Sequence, residues 1–274
     1  NDKTQSIIES IGSSKVKIVH TVWDLKKYPN GTENAHQTDI AKKHCTGDWL
    51  FYLQADEVIH EKYLPVIKQR CEELVDDNEV EGLLFSYRHF WGDYDHYVDS
   101  HGWYPNEIRI IRNDKDIHSW ESAQSFRRIP NFDEKNYRQQ NGTIKLKVAT
   151  VAAEVFHYGW VRPPALMQSK KKSLDTIHKG SAKAEQLYKT RTTDFNYGPI
   201  KKTPSFKGTH PVVMKTWIKD FNWANDLDYS GKTYPDRDLF KHERLKYRLL
   251  TFLEKTFFGG KQIGGFKNYV LLNK

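Results

Sequence analysis

Gly47-Asp48-Trp49-Leu50-Phe51-Tyr52-Leu53-Gln54-Ala55-Asp56-Glu57 is the stretch on which the reading of the fold turns. Trp49–Leu53 is an unbroken apolar run of strand length, which suits a strand buried on both faces of a sheet. The run stops at Gln54, and the carboxylates of Asp56 and Glu57 follow at once. Acidic side chains just past a buried strand are costly unless something compensates them. The carboxyl ends of strands are also where open α/β sheets gather their ligands. Neighbouring carboxylates there can hold a hard divalent cation, Mn²⁺ or Mg²⁺, together with phosphate oxygens of a substrate. Asp56 and Glu57 can equally cap and begin the next helix.

Working outward, strand and helix patterns alternate. Thr4–Ile11 reads as a short helix and Lys15–Val22 as a strand through Val16, Ile18 and Val19. Pro29-Asn30-Gly31 is a turn, and Glu33–His44 a helix with Thr32 as its N-cap. Lys62–Leu74 places Leu64, Ile67, Cys71 and Leu74 at helical spacing. Gly82–Tyr87, Glu107–Arg112 and Lys145–His157 read as further strands. This alternation predicts an α/β fold with parallel strands at its centre. Beyond Pro163-Pro164 the pattern changes: Ala165–Tyr188 and Leu239–Phe258 read as helices around an irregular, Thr- and Pro-rich stretch. The expected organisation is a sheet domain over 1–165 and a basic, mainly helical extension over 166–274.

Composition narrows the function. The 274 residues carry 43 Lys+Arg against 35 Asp+Glu, a net charge of +8. From residue 200 onward there are 15 basic and 7 acidic residues, so the whole excess lies in the last quarter. That distribution argues against a globally basic nucleic-acid binder. It suits a neutral body whose C-terminal part meets a phosphorylated substrate or an anionic membrane surface. No apolar run reaches the roughly 18 residues of a membrane span. The opening Asn1-Asp2-Lys3-Thr4 is polar, unlike a secretion signal, and the two cysteines, Cys45 and Cys71, make no disulfide framework. A cytoplasmic protein, peripheral to the membrane, is the resulting expectation.

The segment ending in Asp56 resembles the metal-binding motif of family 2 glycosyltransferases, in which an apolar strand leads into an Asp-x-Asp type sequence. Other segments fall in the family's order. Asn1-Asp2-Lys3-Thr4 resembles the end of its Ser-x-Asp-x-Thr turn. Glu107-Ile108-Arg109-Ile110-Ile111-Arg112 resembles its strand with paired arginines, and Ile117-His118-Ser119-Trp120-Glu121 the segment bearing its catalytic carboxylate. Phe156-His157-Tyr158-Gly159-Trp160 resembles its later His-containing strand. The resemblance covers about residues 1–180. It departs in two places: Gln54 stands where the family has its first motif Asp, and the strand–helix–strand unit that normally precedes the first turn has no counterpart before Asn1.

The resemblance implies a Rossmann-like, three-layer α/β/α domain of the glycosyltransferase A type. It implies transfer of a sugar from a nucleotide-diphosphate donor to a saccharide or lipid-linked acceptor, with inversion. Glu121 is then the candidate base, with Asp116 as its substitute. Asp2, Asp39, Gln54 and Asp56 are candidates for binding the donor. Asp56, Glu57 and His157 are candidates for the metal, which would lean on fewer carboxylates because of Gln54. Trp91, Trp103, Arg109 and Trp160 are candidates for the acceptor, since the aromatic segment His89–Tyr104 offers faces that suit sugar rings. The basic run Lys170-Lys171-Lys172 can bind phosphate or simply face solvent. Two other readings compete: a metal-dependent glycoside hydrolase using Asp56 and Glu121, and a non-catalytic carbohydrate-binding relative.

Overall fold

The computed structural model describes residues 3–231 and 237–274; Asp2 lies outside them. In chain order the elements are α1 (Thr4–Ser10), α2 (Thr32–Lys42), β1 (Trp49–Phe51), β2 (Glu57–Ile59), α3 (Leu64–Glu73), β3 (Gly82–Trp91) and β4 (Tyr97–Val98). Then come β5 (Asn106–Arg112), β6 (Ile117–Trp120), β7 (Ser125–Arg128), β8 (Ile144–Trp160), α4 (Pro164–Lys179), α5 (Ser181–Tyr188), α6 (Lys215–Lys219), α7 (Leu245–Phe257) and β9 (Tyr269–Leu271).

The sheet is mixed, in the order β1-β5-β3-β8-β7-β6, with β2 and β9 also on β8 and β4 on β3. Its parallel pairs are β3–β8 and β8–β9, so the expected parallel centre is confined to the strands around β8. Because β5 runs antiparallel to both β1 and β3, the strands β1, β3 and β8 point the same way, with β1 ending level with the start of β3. Strand β3 shows the period of two that a sheet with two covered faces demands. Leu83, Phe85 and Tyr87 pack with Ile67 and Leu74 of the α3 region, while Leu84 packs with Phe126 of the β6–β7 hairpin.

Several expectations change. Trp49–Leu53 is not a strand buried on both faces: β1 is the outermost strand of the sheet path, and Phe51 and Leu53 are about two-fifths exposed. An apolar run alone does not say how many neighbours a strand has. Lys15–Val22 forms no strand and is exposed, since alternation yields a strand only where a neighbour completes its hydrogen bonds. The helix start at Thr32 is shifted by one: Gly31, at φ +86°, occupies the N-cap, and the Thr32 hydroxyl donates to the Pro29 carbonyl. Ala165–Tyr188 is two helices, broken at Gly180 (φ +84°). No helix among the described residues is long and apolar enough to cross a membrane.

The boundary expected at 165/166 is not a gap in the packing. One aromatic cluster at the carboxyl ends of β3 and β8 joins Phe90, Trp91 and Phe156 to Met167, Phe195, Tyr197 and Trp223. Residues on both sides of the boundary thus share a core, and β9 returns to the sheet beside β8.

A buried ion pair fixes the segment between β1 and β2. Arg109 on β5 grips Glu57 with two parallel bonds, Nε to Oε2 and Nη2 to Oε1, both 2.8 Å. The Tyr87 hydroxyl of β3 donates to the same carboxylate, and both charged side chains are essentially inaccessible to solvent. Burial of such a pair is tolerated only when every donor and acceptor is matched, and removal of one partner strands the other. Glu57→Gln should therefore cost about 3–5 kcal/mol in chemical unfolding, and the double replacement Glu57→Leu with Arg109→Met should recover most of it.

Candidate functional site

The chain leaves β1 at Phe51 and continues its ladder through the Tyr52 N–H, which donates to the Arg109 carbonyl. It turns at Ala55-Asp56 and enters β2, where Glu57 lies opposite His157 of β8. Glu57 points into the sheet toward Arg109, and Asp56 stays part-exposed, its side chain 24% accessible. Asp56 Oδ2 meets the Lys170 ammonium at 2.6 Å, and Oδ1 lies 3.8 Å from His157 Nε2. Lys170 comes from α4 and also donates to the Gly159 carbonyl at 2.8 Å.

Gly159 makes this convergence possible. A Cβ on it would fall 2.7 Å from Asp56 Oδ2 and closer still to the His157 ring. Burial opposes ionisation of Asp56, but the charge of a protonated His157 and the Lys170 ammonium outweigh it and hold the carboxyl below its usual range. Burial also lowers His157, against the pull of Asp56 and Glu57, so at neutral pH the ring is uncharged and the lasting counter-charge on Asp56 is Lys170.

Hydrogen-bond partners assign the histidine tautomers. His89 Nε2 lies 3.0 Å from the Tyr104 carbonyl, which can only accept, so Nε2 carries the proton. Burial holds His89 neutral, and its Nδ1 is then an acceptor. The proton between the two Nδ1 atoms, 3.2 Å apart, belongs to His157. His157 Nε2 is left with a bare lone pair turned toward Asp56.

A second wall is the β6–β7 hairpin, whose loop is Glu121-Ser122-Ala123-Gln124. Glu121 (φ +56°) and Ala123 (φ +59°) both adopt the left-handed conformation that side chains disfavour. The surroundings hold them there. The Glu121 N–H donates to the Tyr137 carbonyl, Gln54 Nε2 donates to the Ala123 carbonyl (3.3 Å), and Arg109 Nη1 to that of Gln124 (3.4 Å). The other Gln54 contact is the Tyr52 hydroxyl, at 3.1 Å. An Asp at position 54 would set a carboxylate against the Ala123 carbonyl, so the amide suits this link. Ser122 in turn packs against Gly31 and His178: a Cβ on Gly31 would lie 2.6 Å from His178 Nδ1 and 2.9 Å from Ser122 Cβ. Lys170 and His178 are eight residues apart on α4, about 12 Å, so α4 roofs the cleft from Asp56 to the hairpin tip.

The structure thus brings Asp56 and His157 together, while Gln54, two residues before Asp56, turns its amide to the Glu121 loop. Other candidates fall elsewhere. Glu57 cannot serve a metal in this arrangement, since both its oxygens are held by Arg109. Arg109 is wholly buried in the same pair and presents nothing to an acceptor. Trp91 is fully buried, its indole N–H donating to the Tyr197 carbonyl, so it offers no face to a sugar. Trp103 and Trp160 are part-buried neighbours of the same cluster, 6.0 Å apart. Asp39 is spent on structure: its oxygens accept from the Ser119 N–H (2.8 Å) and meet His118 Nδ1 (2.9 Å), tying α2 to β6. Asp116 stands at the start of β6 near Arg128, about 17 Å along the strand from Glu121 at its end, too far to substitute for it.

A divalent cation does not fit the donors present. Among the described residues no cluster of three or more His, Cys, Asp or Glu side chains is arranged to hold one, and Lys170 already sits on Asp56. His178 carries no signal in the sequence, while the run Lys170-Lys171-Lys172 offers phosphate binding or a solvated face without distinguishing its members; the fold separates Lys170, on Asp56, from Lys171, which pairs with Asp175 at 2.8 Å. No family model matches the chain, and no curated protein matches it in sequence.

Two tests follow from this geometry. Gly159→Ala should force Asp56, His157 and Lys170 apart, abolishing any ligand binding at the cleft while changing the melting temperature far less than Glu57→Gln does. Glu107, beside Arg109, is pushed by burial from 4.5 up to about 8, with Arg109 pulling it down and Glu57 pushing it up. The folded chain then keeps a proton that the unfolded chain releases, so stability falls as pH rises from about 4.5 to 8. Melting curves of Glu107→Gln across that range should be flatter than wild type, with the largest gain at pH 8; an unaltered slope would show that Glu107 titrates normally.

Proposed function

We propose that the protein is an inverting glycosyltransferase of the glycosyltransferase A type, with its donor site at the Asp56–His157–Lys170 cluster. The observation that carries this reading is the position of that cluster. It lies at His157, near the carboxyl ends of the parallel strands β3 and β8, and Gln54, two residues before Asp56, bonds the hairpin loop that begins with Glu121. The order of motifs along the chain, which resembles family 2 glycosyltransferases, supports it.

In this reading Lys170 takes the part the resemblance assigns to Mn²⁺ or Mg²⁺. An ammonium has three N–H donors. Those of Lys170 meet Asp56 and the Gly159 carbonyl, and a third is left for a phosphate oxygen. Asp56 orients Lys170 through the 2.6 Å contact of Oδ2 with its ammonium. The bare Nε2 of His157 accepts a hydrogen bond from a hydroxyl of the bound donor. The Glu121 carboxylate removes the proton of the acceptor hydroxyl as that oxygen attacks the anomeric carbon. The bond from that carbon to the phosphate oxygen breaks, and its electron pair leaves with the nucleoside diphosphate, whose growing charge Lys170 offsets. The acceptor is a saccharide or lipid-linked saccharide, approaching past Trp160 and Trp103.

The test is thermal stability with UDP, GDP and CMP, each with EDTA or with Mn²⁺. One nucleotide should stabilise the protein by about 2.7 kcal/mol at about 100 times its Kd, in EDTA as well as in Mn²⁺. Lys170→Ala should lose that shift. Glu121→Gln should keep it while sugar transfer falls by roughly 10²-fold or more. A shift that requires Mn²⁺ and survives Lys170→Ala would return the role to a metal, and no shift with any nucleotide would sink the donor site altogether.

A further inference from the structure

Helix α7 is turned inside out. Its stripe Tyr247, Thr251 and Glu254, at spacing i, i+4, i+7, faces the body of the protein. Thr251 Oγ1 accepts from the His101 N–H at 2.8 Å, Glu254 Oε1 meets His101 Nδ1 at 2.7 Å, and Tyr247 stacks on the His101 ring. Glu254 is 3% exposed. The opposite stripe, Leu245, Leu249 and Phe252, has the same spacing offset by two residues, which is about 200° around the helix. These side chains are 79%, 56% and 60% exposed, and Phe257 adds a further 68%. An amphipathic helix in a globular protein ordinarily buries the apolar stripe; here polar bonds hold the helix and the apolar stripe stands in solvent.

Cations flank that stripe. Lys246 lies on one side and Arg248 on the other, both exposed and neither in an ion pair with a described residue. Lys255 stands below Arg248, paired with Asp99 at 2.6 Å. Lys261 and Lys267 follow beside the exposed Phe258 and Phe266. A large apolar stripe bordered by Lys and Arg is the pattern of a helix that lies in a bilayer interface, its apolar side among the acyl chains and its cations at anionic headgroups.

We infer that α7 and the segment after it form a docking surface for an anionic phospholipid bilayer. Charge decides between this occupant and a second copy of the chain: a two-fold contact through this face would bring two cation-flanked stripes together, whereas an anionic surface complements Lys246 and Arg248. The inference stands apart from the proposed chemistry, because it uses no residue of the cleft.

Sedimentation with sucrose-loaded vesicles tests it, using phosphatidylcholine alone and phosphatidylcholine mixed with phosphatidylglycerol. The protein should pellet with the mixed vesicles and release as salt is raised. Leu249→Glu with Phe252→Glu should abolish pelleting with the melting temperature unchanged, since both positions are exposed. Lys246→Ala with Arg248→Ala should weaken binding to the mixed vesicles by roughly 30-fold. Failure to bind the mixed vesicles would overturn the inference, as would binding that the Leu249/Phe252 variant retains. So would a dimer in analytical ultracentrifugation that the same variant disperses, which would assign the face to a second copy.

Discussion

The bidentate contact between Arg109 and Glu57 is the constraint from which the cleft is built. It joins β5 to the first residue of β2 across β3, where Tyr87 adds a third bond. Glu57 faces inward to meet Arg109, and the turn at Ala55-Asp56 just before it leaves Asp56 to Lys170 and His157. The same guanidinium reaches the Gln124 carbonyl, so one buried cation also sets the hairpin that presents Glu121. Two adjacent carboxylates of identical type therefore acquire opposite fates. One is a structural charge sealed from water, and the other is a polar group at the cleft floor.

The electrostatics of that floor come from the chain itself. Asp56 is matched by a tethered ammonium rather than by clustered carboxylates awaiting an ion. A lysine supplies one positive charge and directional donors, where a divalent ion would supply two charges and open coordination positions. It also makes the site dependent on the placement of α4, which carries Lys170 at one point and His178 two turns later. Helix, hairpin and strand ends thus meet at glycines, Gly159 and Gly31, where a Cβ would collide with the side chains that define the cleft.

The C-terminal part serves two mechanical purposes with two kinds of contact. Its irregular stretch supplies Phe195, Tyr197 and Trp223 to the aromatic cluster that also holds Trp91. Its last helix is attached by hydrogen bonds and an ion pair to His101 and Asp99, which leaves apolar side chains outward. Aromatic residues that looked like a sugar-binding loop are therefore the cement between the sheet and the chain that follows. Composition cannot separate those two uses, because both call for large flat side chains beside polar groups.

Much of the secondary structure was legible in the sequence, because periodicity is local. The helices at α2 and α3 and the strands at β3, β5 and β8 lie where apolar spacing and turn residues put them, to within a few residues at their ends, whereas α7 begins at Leu245, six residues after the expected Leu239. Asp56 and His157 were legible as members of one site through the order of motifs, and Gln54 as a departure that weakens a metal. What the sequence could not assign was the partner of each charged group. Glu57 and Asp56 read alike until Arg109, 52 positions away, claims one of them. Asp39 and Asp116 read as cleft residues until the fold places one under β6 and the other at the far end of that strand. Lys170 reads as surface until α4 is laid across β8. By itself the sequence determined which segments are helix or strand and which residues carry charge, since those depend on neighbours a few positions away. Only the tertiary structure decided which charges are neutralised inside and which face the cleft, because that depends on pairing over tens to more than a hundred residues.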